Sequence, residues 1–270
     1  MFPFPEFGPG QWIAVIFSFI LFGISKTGFT GISIIAVPIC ALIFGAKSST
    51  GIILPLLCFA DLIAVLYYRR HAAWKYLWPL IPWAAAGFGL ALLADHFIIS
   101  DRGFKFLMGI CIFAGLVVMF WSDGPRFGKK RNAEEVRPAP PDVPAKAAPA
   151  KARPFWYSSL FGILGGFSTM IGNTAGPIMS VFLLSVKLPK ESFVGTAAWF
   201  FLIVNYLKVP LQAFAWHNIT KETLYFDVFM IPAIVLGIWL GIVLVKKVSE
   251  AQYRVITYVL TLISAVLLFL

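Results

Sequence analysis

The chain has 270 residues, of which 60% are hydrophobic and only 13% charged, with a mean hydropathy of +0.86. A soluble domain carries roughly 25% charged and about 45–50% apolar residues, so the composition excludes an ordinary water-soluble globule. The net charge of +10 would point to nucleic acid in a soluble protein. Here the basic residues lie between hydrophobic segments, as the positive-inside bias of membrane proteins requires, and no nucleic-acid partner is expected.

The N-terminus, MFPFPEFGPGQW, has no basic n-region and no small-residue cleavage site, so it does not read as a signal peptide. The first apolar run, QWIAVIFSFILF, is interrupted at 23–31 by GISKTGFTG before ISIIAVPICALIF resumes it. Apolar stretches at 51–68, 78–94, 104–121 and 255–270 approach or reach the roughly 20 residues needed to cross a hydrocarbon core of about 30 Å. Between 122 and 154 the composition turns to proline, alanine and lysine, which cannot bury a core and predicts an extended linker. A second glycine-rich break, GGFSTMIGNTAGP at 165–177, follows it. The chain therefore divides into a first membrane repeat (1–121), a linker (122–154) and a second membrane repeat (155–270).

Ordered matches join the halves. Gly28 matches Gly172, Gly51 matches Gly195 and Asp61 matches Asn205, all 144 positions apart; Pro82 matches Pro232, Gly87 matches Gly237 and Ala91 matches Gly241, 150 apart. Near the end, Phe104 and Lys105 match Tyr253 and Arg254. The fold class expected is an all-α polytopic membrane protein with two repeats, each a broken or re-entrant helix followed by three transmembrane helices. Arg69, Arg70 and Lys75 lie between two spans, and the linker carries eight Lys or Arg; both should be cytoplasmic. If each broken segment is a hairpin entering and leaving on one side, the loops with Lys187 and Lys190, and with Lys246, Lys247 and Arg254, become cytoplasmic too. The repeats are then inverted. If the broken segments cross instead, those loops face outward, against the rule.

Irregular backbone at membrane depth is tolerated only where protein buries it or where it lines a watery cavity. Paired breaks are the best sequence pointer to a transporter's binding site. Helix N-termini there favour anions, glycines such as Gly28 allow close backbone approach, and hydroxyls come from Ser25, Thr27, Thr30, Ser168, Thr169 and Thr174, with the amide of Asn173. Lys26 adds a full charge, which near the bilayer centre costs about 2.5–3.5 kcal/mol or more. It reads as an anion ligand, as the partner of Asp61 in an ion pair, or as a side chain snorkelling to the interface. Asp61, whose mate is Asn205, reads either as a proton-coupling carboxylate or as the neutraliser of Lys26. Lys208 lies nearer a helix end and reads as snorkelling.

The remaining chemistry-bearing residues form no cluster. Cys40, Cys58 and Cys111 lie in apolar segments without metal or disulfide spacing. His71, His96 and His217 fall in or beside loops, and no metal site is expected. Trp74, Trp78, Trp83, Trp156 and Trp216 read as an interfacial belt.

GISKTGFTG after a first apolar run, then Pro38 and Phe44, then GIILPLLCFAD and YYRR, resembles the TauE/SafE family of sulfite exporter-like permeases, also called the 4-toluene sulfonate uptake permease family. GGFSTMIGNTAGPIMSVFLL and the stretch ending NYLKVP resemble that family's second repeat. The likeness covers nearly all of the chain outside the linker, whose length departs from the family but which falls where the halves are joined. The resemblance implies a multi-pass permease of the bacterial cell (inner) membrane. Its substrates would be small anions: sulfite, organosulfonates or related sulfur-containing or organic acids.

The leading expectation is a secondary transporter binding an anion at Ser25, Lys26, Thr27, Gly28, Ser168, Thr169, Asn173 and Thr174, with Asp61 and Asn205 as a coupling or charge pair. The alternative is an anion channel using the same helix N-termini. No GxxxxGK[ST] motif is present, and no catalytic triad, HExxH or paired carboxylate lies in the spans, so no enzyme and no cofactor are expected. Proton coupling and a homo-oligomer are left open.

Overall fold

The computed structural model describes residues 7–97, Ile110 and 154–267. Most of the span expected at 104–121, nearly all of the linker, and Cys111 lie outside the described residues. The described elements are all helical: α1 (Pro9–Thr27), α2 (Ser33–Phe44), α3 (Ala46–Tyr68), the short α4 (Trp74–Leu77), α5 (Ile81–Phe97), α6 (Phe155–Gly172), α7 (Ala175–Ser185), α8 (Lys190–Pro210), α9 (Lys221–Lys247) and α10 (Glu250–Leu267). Among the described residues five stretches are long and apolar enough to cross a membrane: Pro9–Thr27, Lys47–Tyr68, Trp74–Asp95, Lys190–Ala215 and Lys221–Lys247. The chain is a multi-pass membrane protein.

Helices α2 and α7 have 12 and 11 residues, a rise of only about 18 and 16 Å, well short of the roughly 30 Å core. Each folds back on the helix before it. Phe7, just ahead of α1, meets Phe44 at the end of α2 with ring centroids 5.6 Å apart. Tyr157 near the start of α6 stacks on Phe182 of α7 at 5.9 Å.

The longer arm of each folded-back pair lies along a helix from the other half of the chain, α1 on α9 and α6 on α5. Glycine makes both crossings. A Cβ on Gly23 would strike the backbone carbonyl of Ile234, and one on Gly237 the carbonyl of Ile20; likewise Gly166 meets the carbonyl of Ala84, and Gly87 that of Ile163. Lipid tails are as apolar as leucine, so helices in a bilayer associate through small residues that let backbones touch. The opposite faces of α5 and α9 expose Leu90, Leu93, Leu236 and Trp239, as lipid-facing surfaces should.

Helices α3 and α8 run antiparallel through the centre. Gly195, near the start of α8, packs on the carbonyl of Tyr68 and on His71, while Gly51, near the start of α3, packs on Asn218 beyond the end of α8. The basic turns gather at one end of this pair. His71 lies 3.1 Å from Glu191, Lys190 donates to the Val248 carbonyl at 2.8 Å, and Arg254 donates to that of Leu188 at 3.0 Å. At the opposite end Lys47 pairs with Asp95 at 2.8 Å, and its ammonium lies 5.0 Å from the ring centroid of Trp216. Trp74, Trp78 and Trp156 are exposed as a belt requires, but Trp216 is buried against the protein. Pro210 cannot donate to its preceding turn, and the chain continues as a π turn, Leu211–Ala215, that buries Gln212.

Candidate functional site

The first break begins where α1 runs out of partners at Thr27. A helix C-terminus leaves its last carbonyls unpaired, and two tyrosines from other helices supply the missing donors. Tyr68 donates to the Thr27 carbonyl at 3.2 Å, and Tyr253 to that of Gly28 at 3.1 Å. Ser25 closes the turn by donating to the Thr30 carbonyl at 3.1 Å. The Thr27 hydroxyl is taken up by helix packing, donating to the carbonyls of Gly23 and Ile238 at 3.1 and 2.9 Å. Gly28 sits against Gly241, so its lack of a side chain serves the α1–α9 contact.

The second break is capped differently. Asn173 adopts the left-handed conformation (φ 55°, ψ 28°), and its amide donates to the Thr169 carbonyl at 3.0 Å. This is an αL cap on one of the few non-glycine residues that tolerate it. Ser168 and Thr174 hydrogen-bond each other at 2.7 Å across the break. The Asn173 carboxamide donates to the Thr50 carbonyl of α3 at 3.1 Å. The two breaks touch: the Thr30 and Ser180 hydroxyls are hydrogen-bonded, and Gly176 lies so close to the Thr30 carbonyl that a Cβ would collide with it.

Three charged side chains converge behind this contact. The Lys26 ammonium lies 2.8 and 3.0 Å from the two oxygens of Asp61 and 4.3 Å from the centroid of the Phe201 ring, within cation–π range. Asn205 donates to the same carboxylate at 2.6 Å, so the residues matched between the halves are in direct contact. Lys208 donates to the carbonyl and hydroxyl of Thr169 at 2.9 and 3.3 Å and also to the Asn173 side-chain oxygen. Lys26 is 9% exposed and Asp61 and Lys208 are 0% exposed, so neither lysine snorkels. For Lys208 this corrects the sequence expectation: α8 continues past it to Pro210, which keeps the ammonium inside the bundle. Among the described residues no group of His, Cys, Asp and Glu is arranged to hold a metal ion.

These groups surround a cavity of about 20 Å³. Ser25, Lys26 and Thr30 reach it from the first break and Thr169 and Asn173 from the second, with Phe201 and Asn205 from α8. Ser33 and Gly176, in the first turns of α2 and α7, also line it, so the partial positive ends of two helices border the space. The volume holds about one water molecule, less than any sulfur oxyanion requires. Of the residues expected at the site, Ser25, Lys26, Thr169, Asn173 and Asn205 form the wall, and Asp61 stands directly behind Lys26 and Asn205. Thr27, Gly28, Ser168 and Thr174 instead hold the breaks in shape. Lys208, Ser180 and Phe201 were not expected there. A signal for two of them exists: Phe201, Asn205 and Lys208 follow i, i+4, i+7 spacing, one face of α8.

A helical, multi-pass protein whose two interrupted helices meet at a small cavity lined in part by polar side chains has the plan of a membrane transporter. Residues 15–268 match the family described as Sulfite exporter TauE/SafE, and the chain belongs to that family. No curated protein and no solved structure gives a significant match.

Proposed function

We propose that the protein is a secondary transporter of small anions, with sulfite, organosulfonates and related sulfur-containing or organic acids as the substrate class. The observation that carries this reading is the cavity at the meeting of the two breaks, bordered by the first turns of α2 and α7 and by the Lys26 ammonium. Partial positive charge from helix N-termini, a buried cation and neutral hydrogen-bond donors together suit an oxyanion and repel a cation. The proposed ligands are Ser25, Lys26, Thr169 and Asn173, with Thr27, Gly28, Ser168 and Thr174 shaping the backbone around them. Asp61, paired with Lys26 and hydrogen-bonded by Asn205, is the proposed site of proton coupling, with Asn205 as its partner in the other half. The substrate is expected to emerge chemically unchanged, so the protein acts as a permease and not as an enzyme.

The halves are inferred to be inverted repeats with re-entrant hairpins, in the bacterial inner membrane. The fold-back of α2 and α7, their short length and the antiparallel α3–α8 pair all support this. So does the gathering of Arg69, Lys187, Lys190, Lys246 and Arg254 at one end, the end expected in the cytoplasm. The alternative is an anion channel using the same helix N-termini; saturable flux coupled to proton movement would favour the transporter.

The test is a binding screen of the purified protein against sulfite, sulfate, thiosulfate, sulfonates and carboxylates. A ligand that binds only the folded state stabilises it by RT ln(1 + [L]/Kd). Lys26→Ala should weaken the responsive anion by about one to two orders of magnitude, the worth of a charge-assisted hydrogen bond. Wild-type affinity and transport in folded Lys26→Ala protein would reject Lys26 as a ligand. Cysteine labelling at Lys187 and Lys246 from the periplasmic side would refute the inverted arrangement.

A further inference from the structure

We propose that Lys208 is the second ammonium of the anion site and the one that sets its net charge. The site therefore takes one negative charge unaided and a second only together with a proton on Asp61. This rests on reading the cavity as an anion site, and deepens it.

The argument is a count of charges. Lys26 and Asp61 cancel, at 2.8 and 3.0 Å. Lys208 is in no ion pair among the described residues, which pair only Lys26 with Asp61, Lys47 with Asp95 and His71 with Glu191. It is nonetheless wholly buried. Its nitrogen faces three acceptors, the Thr169 carbonyl, the Thr169 hydroxyl and the Asn173 side-chain oxygen. An ammonium there donates to all three at once. Thr169 and Asn173 are themselves cavity wall, so the charge sits one layer behind the space an anion would occupy. A buried cation lacking a counterion is expensive in a bilayer, and a bound anion supplies the counterion. A lysine that only caps the last carbonyls of α6 would make some of the same hydrogen bonds, so the test must read charge and not only stability.

With Lys26, Asp61 and Lys208 all ionised the site sums to one positive charge, which a sulfonate neutralises. A dianion overshoots by one. The deficit is met if a proton from solvent joins the Asp61 carboxylate, which releases Lys26 to the anion. The titratable groups facing Asp61 are Lys26 from α1, Lys208 from α8 and Cys58 on its own helix. Among the described residues α2, α6 and α9 bring no charged side chain to it.

Calorimetric titration of the purified wild-type protein in buffers of different ionisation enthalpy counts the protons. Methanesulfonate, a monoanion at every working pH, should bind with no proton uptake; sulfate should bind with uptake of about one proton per ion. Lys208→Gln lowers the site to zero net charge. Methanesulfonate should then bind about ten- to a hundredfold more weakly and now take up about one proton, whereas Lys208→Arg should bind it with none. Sulfate bound by wild type without proton uptake would overturn the proposal. So would methanesulfonate bound by Lys208→Gln with wild-type affinity and no uptake, as a purely structural lysine requires. If Lys208→Gln does not fold, the two wild-type titrations decide alone. Loss of binding in Lys26→Ala alongside full binding in Lys208→Gln would leave the anion site standing and remove Lys208 from it. Failure of both ions to bind the wild type would overturn both readings.

Discussion

The Lys26 ammonium bridges both oxygens of Asp61, at 2.8 and 3.0 Å, joining the end of α1 to the middle of α3. The ion pair therefore fastens a broken helix to a full span. Removing one partner of a buried pair leaves an uncompensated charge and costs about 3–5 kcal/mol, whereas replacing both with apolar residues is often neutral. Lys26→Met should destabilise by that amount, and Lys26→Met/Asp61→Leu should recover most of it without recovering anion binding. Denaturant unfolding in detergent, paired with a binding assay, measures both. A double variant as unstable as the single one would show that the loss comes from packing and not from charge.

The helix crossings make a sharper structural prediction. Gly87 and Gly89 lie in the same helix, yet a Cβ on Gly87 meets the α6 backbone while one on Gly89 meets nothing within 4 Å. Gly89→Ala should be close to neutral. Gly87→Ala and Gly23→Ala press a methyl group against a neighbouring backbone that cannot rotate away, and should each cost about 1–3 kcal/mol or more. Thermal midpoints of the three variants, compared side by side, check this. Equal midpoints for Gly87→Ala and Gly89→Ala would refute the close α5–α6 approach.

Asn173 separates backbone from side chain. Its φ of 55° suits glycine at least as well, so Asn173→Gly should keep the αL cap and fold. It deletes the carboxamide that accepts from Lys208 and donates to Thr50. Anion affinity should fall about tenfold, in line with one hydrogen bond to a charged group, with little change in the circular dichroism spectrum. Unchanged affinity would remove the Asn173 side chain from the site.

Contact between the breaks predicts a gate. The Thr30 and Ser180 hydroxyls are hydrogen-bonded, and the cavity beside them holds about one water, so the breaks must separate before an anion enters. Thr30→Cys/Ser180→Cys, with Cys40, Cys58 and Cys111 replaced by serine or alanine, should cross-link under mild oxidation. Oxidised protein in vesicles should then lose anion flux, and reductant should restore it. Undiminished flux through the cross-linked protein would show that the substrate does not pass between Thr30 and Ser180.

Much of this organisation was legible in the residues because the bilayer leaves few choices. Twenty apolar residues must span, and a polar, glycine-rich interruption at that depth must be buried in protein or line a cavity. The significance of the breaks at GISKTGFTG and GGFSTMIGNTAGP and the candidacy of Lys26 and Asp61 follow from that rule; the family resemblance rested on the motifs themselves. The repeat matches also marked Gly87 and Gly237, and the second break marked Asn173, though not what they touch.

The tertiary structure alone decided how those residues are employed. Sequence left Lys26 among three roles and Asp61 between two; a distance of 2.8 Å makes them partners, because which charges meet depends on the packing of α1 against α3, elements 35 positions apart at that contact. Lys208 read as an interfacial lysine, since proximity to a helix end is visible in sequence while the acceptors that Thr169 and Asn173 present to it are not. Thr27 and Ser168 carry the same hydroxyl chemistry as Thr169, yet only Thr169 reaches the cavity, and only the rotation of each helix about its axis separates them. Sequence thus determined the solvent and the two breaks. Which polar groups face the cavity was settled by glycine-mediated contacts between the halves, where a single Cβ is enough to alter the fit.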